Sequence, residues 1–317
     1  MIPALVLTAG LATRLRPLSC VRAKAALPVG GLPLAARILR QLATAGVTDA
    51  VLNLHHLPAS LTSRIGDGSD IGVRVRYSWE AKVLGSAGGP RKALSLLGAS
   101  SFLIVNGDTL TSFDIAALIG DHKRSGALVT MAVIPNTMPE RYSGVAADAH
   151  GRFVGLVPRG SPLPSFHVIG TQVVEALAFA RLDEDVPFES IGALYPALVR
   201  DRPDAVRVHV CASSFLDIGT VQDYVETCRS LAQPGASLIE RGARTNVHPA
   251  AQVHDTIVWD DVEIDEGARV HNSVVTDGVH VPAGSQWDNV ILRRADGACG
   301  PGERQVGELV VTSLGPA

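Results

Sequence analysis

The loop that follows the first apolar run carries the residues best suited to bind an anion. The run ends near Leu7, and Ala9 and Gly10 then leave the backbone open to a planar base or a phosphate. Exposed amides in such a loop form an anion cradle, and Arg14 and Lys24 supply the charged donors that phosphate needs. The loop is neither G-x-G-x-x-G nor a Walker A sequence, so it predicts neither a dinucleotide fingerprint nor a P-loop ATPase.

Alternating apolar runs and helical patterns predict the scaffold that positions this loop. Strand, loop and helix alternate from residue 2 to residue 105, and further strands are expected at 127–134 and within 145–174. This order predicts an α/β fold with a doubly wound, mainly parallel, Rossmann-like sheet and helices on both faces. We expect the segment 145–174 to form a lid or a substrate wall, and ligands to bind at the carboxyl ends of the strands.

The part of the chain after residue 246 has a different pattern. Apolar residues recur there at about six-residue steps, with glycine and asparagine between them; they are Val247, Val253, Val262, Ile264, Val270, Val279 and Val281. Such hexapeptide periodicity is typical of a β-helix, here of two to three coils, and the alternative is an irregular β-rich tail. Because so short a β-helix exposes its ends and edges, we expect a homo-oligomer.

Turn residues mark the domain boundaries. Gln233, Pro234 and Gly235 form a turn sequence, which predicts a first domain over 1–232 that contains the anion-binding loop, a linker over 233–245 and the β-helix over 246–295. The tail over 296–317 is rich in turn residues, among them Gly297, and the segment 308–312 could add one last strand.

Composition and charge exclude several classes of protein. The 317 residues are 46% hydrophobic, which suits about two folded domains and excludes a disordered chain. Lys and Arg number 28 against 31 Asp and Glu, and 28 − 31 = −3 gives no field that would attract nucleic acid or a membrane surface. No apolar run is long enough to span a membrane. The four cysteines, which include Cys299, lie far apart, so we expect no zinc site and a cytoplasmic location.

The first loop resembles the signature of the sugar-1-phosphate nucleotidylyltransferases. Its sequence TAGLATRLRPLS, followed by RAKAALPVGGLP, is similar to the family's A-G-x-G-T-R-L-x-P-L-T and P-K-P-L-x-P-V-x-G-x-P. Ala12 stands where the second glycine is common, and Ala23 and Ala25 flank Lys24 in place of prolines. The resemblance implies catalytic roles for Arg14 and Lys24. It also implies nucleotide binding by a set of residues in and beyond the loop, namely Leu7, Ala9, Gly10, Leu11, Ala12, Thr13 and, in a segment similar to the family's L-G-T-A-G, Gly88.

Two aspartates resemble the family's metal-binding positions. Asp108 closes the segment Val-Asn-Gly-Asp, and Asp217 begins the segment Asp-Ile-Gly-Thr ahead of a predicted helix. Two carboxylates at separate strand ends can share one Mg²⁺, a hard cation that prefers oxygen ligands. Each aspartate also fits a helix-capping role.

The sugar-phosphate side departs further from the family. The segment Tyr-Ser-Gly-Val that contains Gly144 resembles the family's Y-G-V turn, which touches the sugar. In place of the family's E-K-P segment the chain has Val-Pro-Arg-Gly, so Arg159 takes the position of the lysine and the acid is missing. Arginine binds phosphate bidentately and does not replace lysine in geometry.

The resemblance implies that the chain transfers a nucleoside monophosphate from an NTP to a sugar 1-phosphate, an EC 2.7.7 reaction. The short hexapeptide region resembles the mannose-1-phosphate guanylyltransferase arrangement and favours GTP with mannose 1-phosphate. Uridylyl or thymidylyl transfer to glucose, N-acetylglucosamine or N-acetylmuramate 1-phosphate is the alternative, and a catalytically weak regulatory subunit is a second one.

The histidines offer a competing chemistry. His55 and His56 are adjacent, so in an extended segment they point to opposite faces and do not form a metal pair. Histidines in the hexapeptide region could serve an acyltransferase, but such enzymes have more coils than this chain.

Overall fold

The structure, a computed structural model, describes residues 2–233, 238–295 and 300–315 of the chain. Its helices are α1 (Leu18–Val21), α2 (Leu34–Thr44), α3 (Pro58–Ile65), α4 (Gly85–Leu97), α5 (Ile115–Ser125), α6 (Tyr195–Asp201) and α7 (Val221–Leu231). Its strands up to α7 are β1 (Ala4–Leu7), β2 (Pro28–Val29), β3 (Leu32–Pro33), β4 (Asp49–Leu54), β5 (Arg74–Trp79), β6 (Ser101–Asn106), β7 (Thr109–Thr111), β8 (Val129–Pro135), β9 (Gly144–Ala147), β10 (Phe153–Val157), β11 (Phe166–Glu175), β12 (Val206–Val210) and β13 (Phe215–Asp217).

The strands after α7 are shorter. They are β14 (Leu238–Arg241), β15 (Asn246–Val247), β16 (Gln252–His254), β17 (Thr256–Val258), β18 (Glu263–Ile264), β19 (Arg269–His271), β20 (Val274–Val275), β21 (His280–Val281), β22 (Gln286–Asp288), β23 (Val290–Arg294), β24 (Glu303–Val306) and β25 (Leu309–Ser313).

The chain forms two compact units that do not follow sequence order. The first unit consists of the described parts of Met1–Leu11 and Ala35–Asp217, and the second of those of Ala12–Leu34 and Ile218–Ala317. The loop that carries Arg14 and Lys24 therefore belongs to the same unit as the β-helix. The predicted sequence boundaries at 232, 245 and 295 stay a prediction, and Pro234, Gly235, Gly297 and Cys299 lie outside the described residues.

The first unit is built on a nine-stranded mixed sheet. Its strand order is β10-β9-β11-β6-β1-β4-β5, and β8 pairs with β11 and with β12. The strands β6, β1, β4 and β5 run parallel, as do β8 and β12, whereas β11 is antiparallel to its neighbours. The Rossmann-like α/β fold is confirmed. The antiparallel part consists of β9, which forms a hairpin with β10 through a short connection, and of β11, which runs antiparallel to β9, β6 and β8.

Burial explains why the parallel strands read as continuous apolar runs. Leu5, Val51 and Ile104 lie in three neighbouring strands and are fully buried. Helix α4 packs on β1, β4 and β5, while α5 packs on β8 and β11. Parallel strands that are covered by helices need apolar side chains on both faces, so this core holds Leu, Val and Ile rather than an alternating pattern.

The second unit contains the predicted β-helix. Three parallel sheets run along it, β14-β17-β20-β23, β15-β18-β21 and β16-β19-β22. Equivalent residues of successive coils lie 17 positions apart, as Asn272 and Asn289 show. All but one of the apolar residues that predicted the repeat are buried along the axis, and Val247 is half-buried. The tail adds β24 and β25, which continue the first of these sheets in antiparallel order, so the expected last strand is present as Leu309–Ser313.

Two further features bear on the expected class of protein. None of the helices within the described residues is long and apolar enough to cross a membrane. No disulfide joins the described cysteines Cys20, Cys211 and Cys228.

Candidate active site

A cleft of about 210 Å³ opens at the carboxyl ends of β1, β4, β5 and β6. It is lined by Leu7, Ala9, Gly10, Asn53, Glu80, Val83, Gly85, Ser86, Asn106 and Asp108. Four of these residues were predicted as site residues from the sequence, namely Leu7, Ala9, Gly10 and Asp108. The cleft lies where an open α/β sheet is expected to bind ligands.

A buried polar network fixes the backbone on one side of this cleft. The Thr8 amide donates to Asn53 Oδ1 at 2.6 Å, and Asn53 Nδ2 donates to Glu80 Oε1 at 2.7 Å. The second carboxylate oxygen of Glu80 accepts from the Leu84 amide at 2.9 Å, next to the first turn of α4. Glu80 is 1% exposed, so its charge is held by these donors and anchors the start of the loop to the start of the helix.

Two positions at the cleft have glycine for different structural reasons. A Cβ on Gly107 would lie 2.5 Å from the Leu7 carbonyl oxygen, so glycine is needed for β1 and the end of β6 to approach each other. A Cβ on Gly10 would meet no atom within 4 Å. The space above Gly10 is therefore open, which is the room that a base or phosphate requires.

The rest of the predicted loop lies in the second unit. Ala12 has φ 48° and ψ 44°, a left-handed conformation that favours glycine, and it stands where the family signature has glycine. Arg14 is exposed in the one-turn 3₁₀ helix Thr13–Leu15. Lys24 is half-buried in a second such turn, Lys24–Ala26. Both cations are thus held in short, defined turns.

The two aspartates come together through a small separate sheet. Strands β7 and β13 form an antiparallel pair in which Asp217 is opposite Thr109, the residue after Asp108. Opposite residues in such a pair have Cα atoms about 5 Å apart. Both aspartates are half-buried. Their carboxylates are the hard oxygen donors that suit a divalent cation, and within the described residues no group of three or more Asp, Glu, His or Cys offers another site.

The Tyr-Ser-Gly-Val turn lies beside an aromatic group. Gly144 begins β9, and a Cβ there would lie 2.6 Å from Ser165 Cβ, so glycine is explained by strand packing. The ring of His167 lies 4.4 Å from the ring of Tyr142 and 4.7 Å from that of Phe215. Burial lowers the pKa of His167, against a smaller opposing effect of the Ser143 backbone. Phe215 is in β13, so this group lies at the same small sheet as Asp217.

Two predicted site residues have other surroundings. Gly88 is buried in α4, and a Cβ there would lie 2.5 Å from the Val186 carbonyl oxygen, so its glycine is explained by contact with the protein's own backbone. Arg159 is exposed in the turn after β10, in which the Gly160 amide donates to the Pro139 carbonyl oxygen. Neither is among the residues that line the cleft.

Sequence reasoning missed four polar residues of the cleft, which are Asn53, Glu80, Ser86 and Asn106. Asn53 lies next to the end of β4, Glu80 follows β5 and Asn106 ends β6, which was the available signal, since a polar residue at the end of a strand either binds a ligand or stabilises the sheet edge. Ser86 Oγ donates to Glu189 Oε2 at 2.8 Å and accepts from the Ser190 amide at 2.9 Å. The partner Glu189 is 103 positions away in the chain, so no local pattern predicts that contact.

The chain matches a known family over most of its length. The match to the nucleotidyl transferase family covers residues 3–233, and a match to the GlmU-like C-terminal hexapeptide family covers residues 232–288. The chain is 30% identical over 256 residues to a mannose-1-phosphate guanylyltransferase of Mycobacterium tuberculosis, which is 80% of this chain and 71% of the relative.

Other relatives carry other names. A UTP–glucose-1-phosphate uridylyltransferase of Synechocystis is 25% identical over 83% of this chain and 72% of its own. An N-acetylmuramate α-1-phosphate uridylyltransferase of Neisseria meningitidis is 44% identical over 115 residues, 36% of this chain and 50% of the relative.

The crystal structure of HddC from Yersinia pseudotuberculosis has the same fold. It superposes with a TM-score of 0.64 at 22% identity, over 73% of this chain and 99% of that chain. The match to the nucleotidyl transferase family over residues 3–233 and the similarity to the mycobacterial enzyme establish that the chain belongs to this family and is a sugar-1-phosphate nucleotidyltransferase.

Proposed function

We propose that this enzyme transfers GMP from GTP to mannose 1-phosphate and releases pyrophosphate. The observation that carries the proposal is the 30% identity to the mycobacterial guanylyltransferase over 80% of this chain. The matched stretch of 256 residues is longer than either of the two family matches, so the similarity is not confined to one of them.

The nucleotide is proposed to bind at the first loop. Leu7, Ala9 and Gly10 line the cleft, and the open space above Gly10 admits the nucleotide. Leu11, Ala12 and Thr13 continue the same loop, and Gly88 is proposed to act through the placement of α4. Backbone amides in such a loop bind phosphate oxygens without bringing a charge of their own.

Arg14 and Lys24 are proposed to bind the phosphates of the NTP. A phosphate oxygen of the sugar 1-phosphate forms a bond to the α-phosphorus, the bond from that phosphorus to the α–β bridging oxygen breaks, and pyrophosphate leaves with the electron pair. Arg14 stabilises the charge that develops on the leaving group, and Lys24 holds the triphosphate in line. No proton has to move in this step.

Asp108 and Asp217 are proposed to hold Mg²⁺. When bound, the ion would neutralise phosphate charge and polarise the reacting phosphorus. The enzymes of this family use a divalent metal, and we propose Mg²⁺ because two carboxylates are hard oxygen donors of the kind that this ion prefers.

The sugar phosphate is proposed to bind near the turn that contains Gly144, with Arg159 as a bidentate donor to its phosphate. The rings beside that turn, Tyr142, His167 and Phe215, offer a surface on which the apolar face of a sugar can pack.

A uridylyltransferase acting on N-acetylmuramate 1-phosphate is the second candidate. It is favoured by the 44% identity to the Neisseria enzyme, although that segment covers only 115 residues. We further propose a homo-oligomer, since the β-helix presents strand edges, and a cytoplasmic location, since nucleoside triphosphates are held there.

The test is a matrix of pyrophosphate release. Purified enzyme with Mg²⁺ is given each of five NTPs with mannose, glucose, N-acetylglucosamine or N-acetylmuramate 1-phosphate. The highest kcat/KM is expected for GTP with mannose 1-phosphate. A preference for UTP with N-acetylmuramate 1-phosphate would replace the first proposal by the second, and a blank matrix with nucleotide-sugar binding retained would indicate a regulatory subunit. Light scattering at micromolar concentration tests the oligomer, and a single monomeric species would contradict it.

A further inference from the structure

We propose that Arg22 is a positioning residue through which the β-helix holds the Lys24 segment in its working conformation. This inference rests on the proposed catalytic role of Lys24. All residues that carry it belong to the second compact unit.

Arg22 is a buried cation, and three residues of the β-helix, Asp260, Asp277 and Trp259, surround its guanidinium and form what we call its receptor. It is 2% exposed, and its guanidinium forms a bidentate pair with Asp277, in which Nε donates to Oδ2 at 2.7 Å and Nη2 donates to Oδ1. Nη2 also donates to Asp260 Oδ2 at 2.7 Å, and the guanidinium carbon lies 4.9 Å from the centre of the Trp259 ring. A charge buried to this extent is stable only in such a paired and hydrogen-bonded setting.

The receptor follows from the repeat of the β-helix. Asp260 and Asp277 are 17 positions apart, so they occupy the same turn of successive coils. The Ala243 amide donates to Asp260 Oδ1 at 2.8 Å, and the Asp260 amide donates to Asp277 Oδ1 at 3.2 Å, which orients both carboxylates. Two stacked carboxylates repel each other, and a guanidinium between them relieves that repulsion while matching their geometry.

The ion network of Arg22 with Asp260 and Asp277, which we call the anchor, is connected directly to the turn that carries Lys24. Nη1 of Arg22 donates to the Ala26 carbonyl oxygen at 3.4 Å, and the Leu27 amide closes the turn on the Lys24 carbonyl oxygen at 3.1 Å. At the far end of the segment the carboxylate of Glu240, which is 4% exposed, accepts from the amides of Gly30, at 2.9 Å, and Gly31. The segment is thus fixed at both ends to coils of the β-helix.

This anchor takes the place of proline rigidity. The family signature has prolines on both sides of the lysine, whereas this chain has Ala23 and Ala25. Ala23 has φ −55° and ψ 144°, and Arg22 before it is extended with φ −132° and ψ 147°, so the backbone already has the conformation that a proline at 23 would impose. An alanine does not fix this conformation by itself, and the ion network supplies the restraint.

The test compares Asp277→Asn with a matched control on the same β-helix. Asp277→Asn keeps the shape of the side chain and removes the charge that pairs with Arg22. The control Asp288→Asn breaks an exposed pair with His271, 2.6 Å long, outside the segment. Hydrogen exchange of the peptide that spans 22–34 and kcat/KM are measured for both. In Asp277→Asn we expect faster exchange of the Leu27, Gly30 and Gly31 amides and a fall in kcat/KM of about 10- to 100-fold, carried mainly by kcat. In the control we expect neither change.

The split between kcat and KM and the pattern of exchange separate positioning from a general loss of stability. Loss of positioning is expected to lower kcat with little change in KM and to speed exchange in the peptide 22–34 only, at a temperature at which the variant is folded. Asp260→Asn, which leaves the bidentate Asp277 pair in place, is the milder variant if Asp277→Asn does not fold. Unchanged exchange and rate in Asp277→Asn and Asp260→Asn would overturn the proposal, as would faster exchange spread over the whole chain with no fall in kcat. If wild-type enzyme is inactive with every substrate pair but exchange still rises in Asp277→Asn, the anchor stands and the proposed function fails.

Discussion

Asp217 lies next to Asp108 because it pairs with Thr109, the following residue, in the antiparallel strands β7 and β13. These strands form a two-stranded sheet apart from the main one. The small sheet thus has a defined purpose in the fold, since it brings together two acids that are 109 positions apart. A pair of carboxylates held in this way is the basis of the proposed metal site.

Asp108→Asn and Asp217→Asn are each expected to lower kcat by about 10² to 10³, because each removes one of the two proposed charged ligands of the metal. The same variants should bind Mn²⁺ more weakly, which electron paramagnetic resonance measures directly. Asp204→Asn is the control, as Asp204 is exposed and pairs with Arg202 at 3.3 Å. Near-wild-type turnover in either site variant would remove that aspartate from the metal site.

Ala12→Gly is expected to leave activity intact and to raise the free energy of unfolding by up to about 1 kcal/mol, since φ 48° is unfavourable for a residue with a Cβ. Ala12→Val should lower it, because a β-branched side chain tolerates this conformation least. In urea unfolding we expect the free energy of unfolding to decrease in the order Gly, Ala, Val at position 12. A valine variant as stable as wild type would show that the loop adopts another conformation.

Asn53→Ala is expected to raise the KM for NTP and to destabilise the fold by about 1–3 kcal/mol, because the Thr8 amide and one oxygen of buried Glu80 lose their partner. Asn246→Ala, at an exposed position in β15, should change neither quantity. Steady-state kinetics and thermal unfolding measure both effects. A stable variant with unchanged KM would mean that this network does not support the loop.

His167 is expected to make the stability of the fold depend on pH. Burial lowers its pKa below the value near 6.5 of an unfolded chain, so the unfolded state binds the proton more readily. Its contribution is fully present above about pH 6.5 and is lost as pH falls below that value, with a slope of at most about 1.4 kcal/mol per pH unit. His167→Leu should flatten the dependence of unfolding free energy between about pH 5 and 7. An unchanged slope would show that other groups cause it.

Much of the fold was predictable because it depends on local pattern. The parallel strands β1, β4 and β6 are mostly apolar runs, and α7 (Val221–Leu231) is the helix that was expected after the Asp-Ile-Gly-Thr segment. The β-helix was predictable from valine spacing. The antiparallel direction of β11 could not be predicted in this way. Strand direction depends on how the connections pack, and the composition of a strand carries no information about its direction.

The site was predictable only in part, for a similar reason. The loop residues and both aspartates carry a signature, and the cleft contains Leu7, Ala9, Gly10 and Asp108. Contacts between residues that are far apart in the chain have no sequence signature. Arg22 meets Asp277 across 255 positions, and its burial could be suspected only from the repeated aspartate at one turn of the coils.

The most direct test of the proposed reaction uses radioactively labelled GTP and measures which product receives each labelled phosphate. Enzyme, Mg²⁺ and mannose 1-phosphate are incubated with GTP carrying ³²P in the α or the γ position, and the products are separated. In-line attack on the α-phosphorus predicts that the α label enters the nucleotide sugar and the γ label leaves in pyrophosphate. Recovery of the γ label as inorganic phosphate or on the sugar, with no α label in a nucleotide sugar, would contradict nucleotidyl transfer.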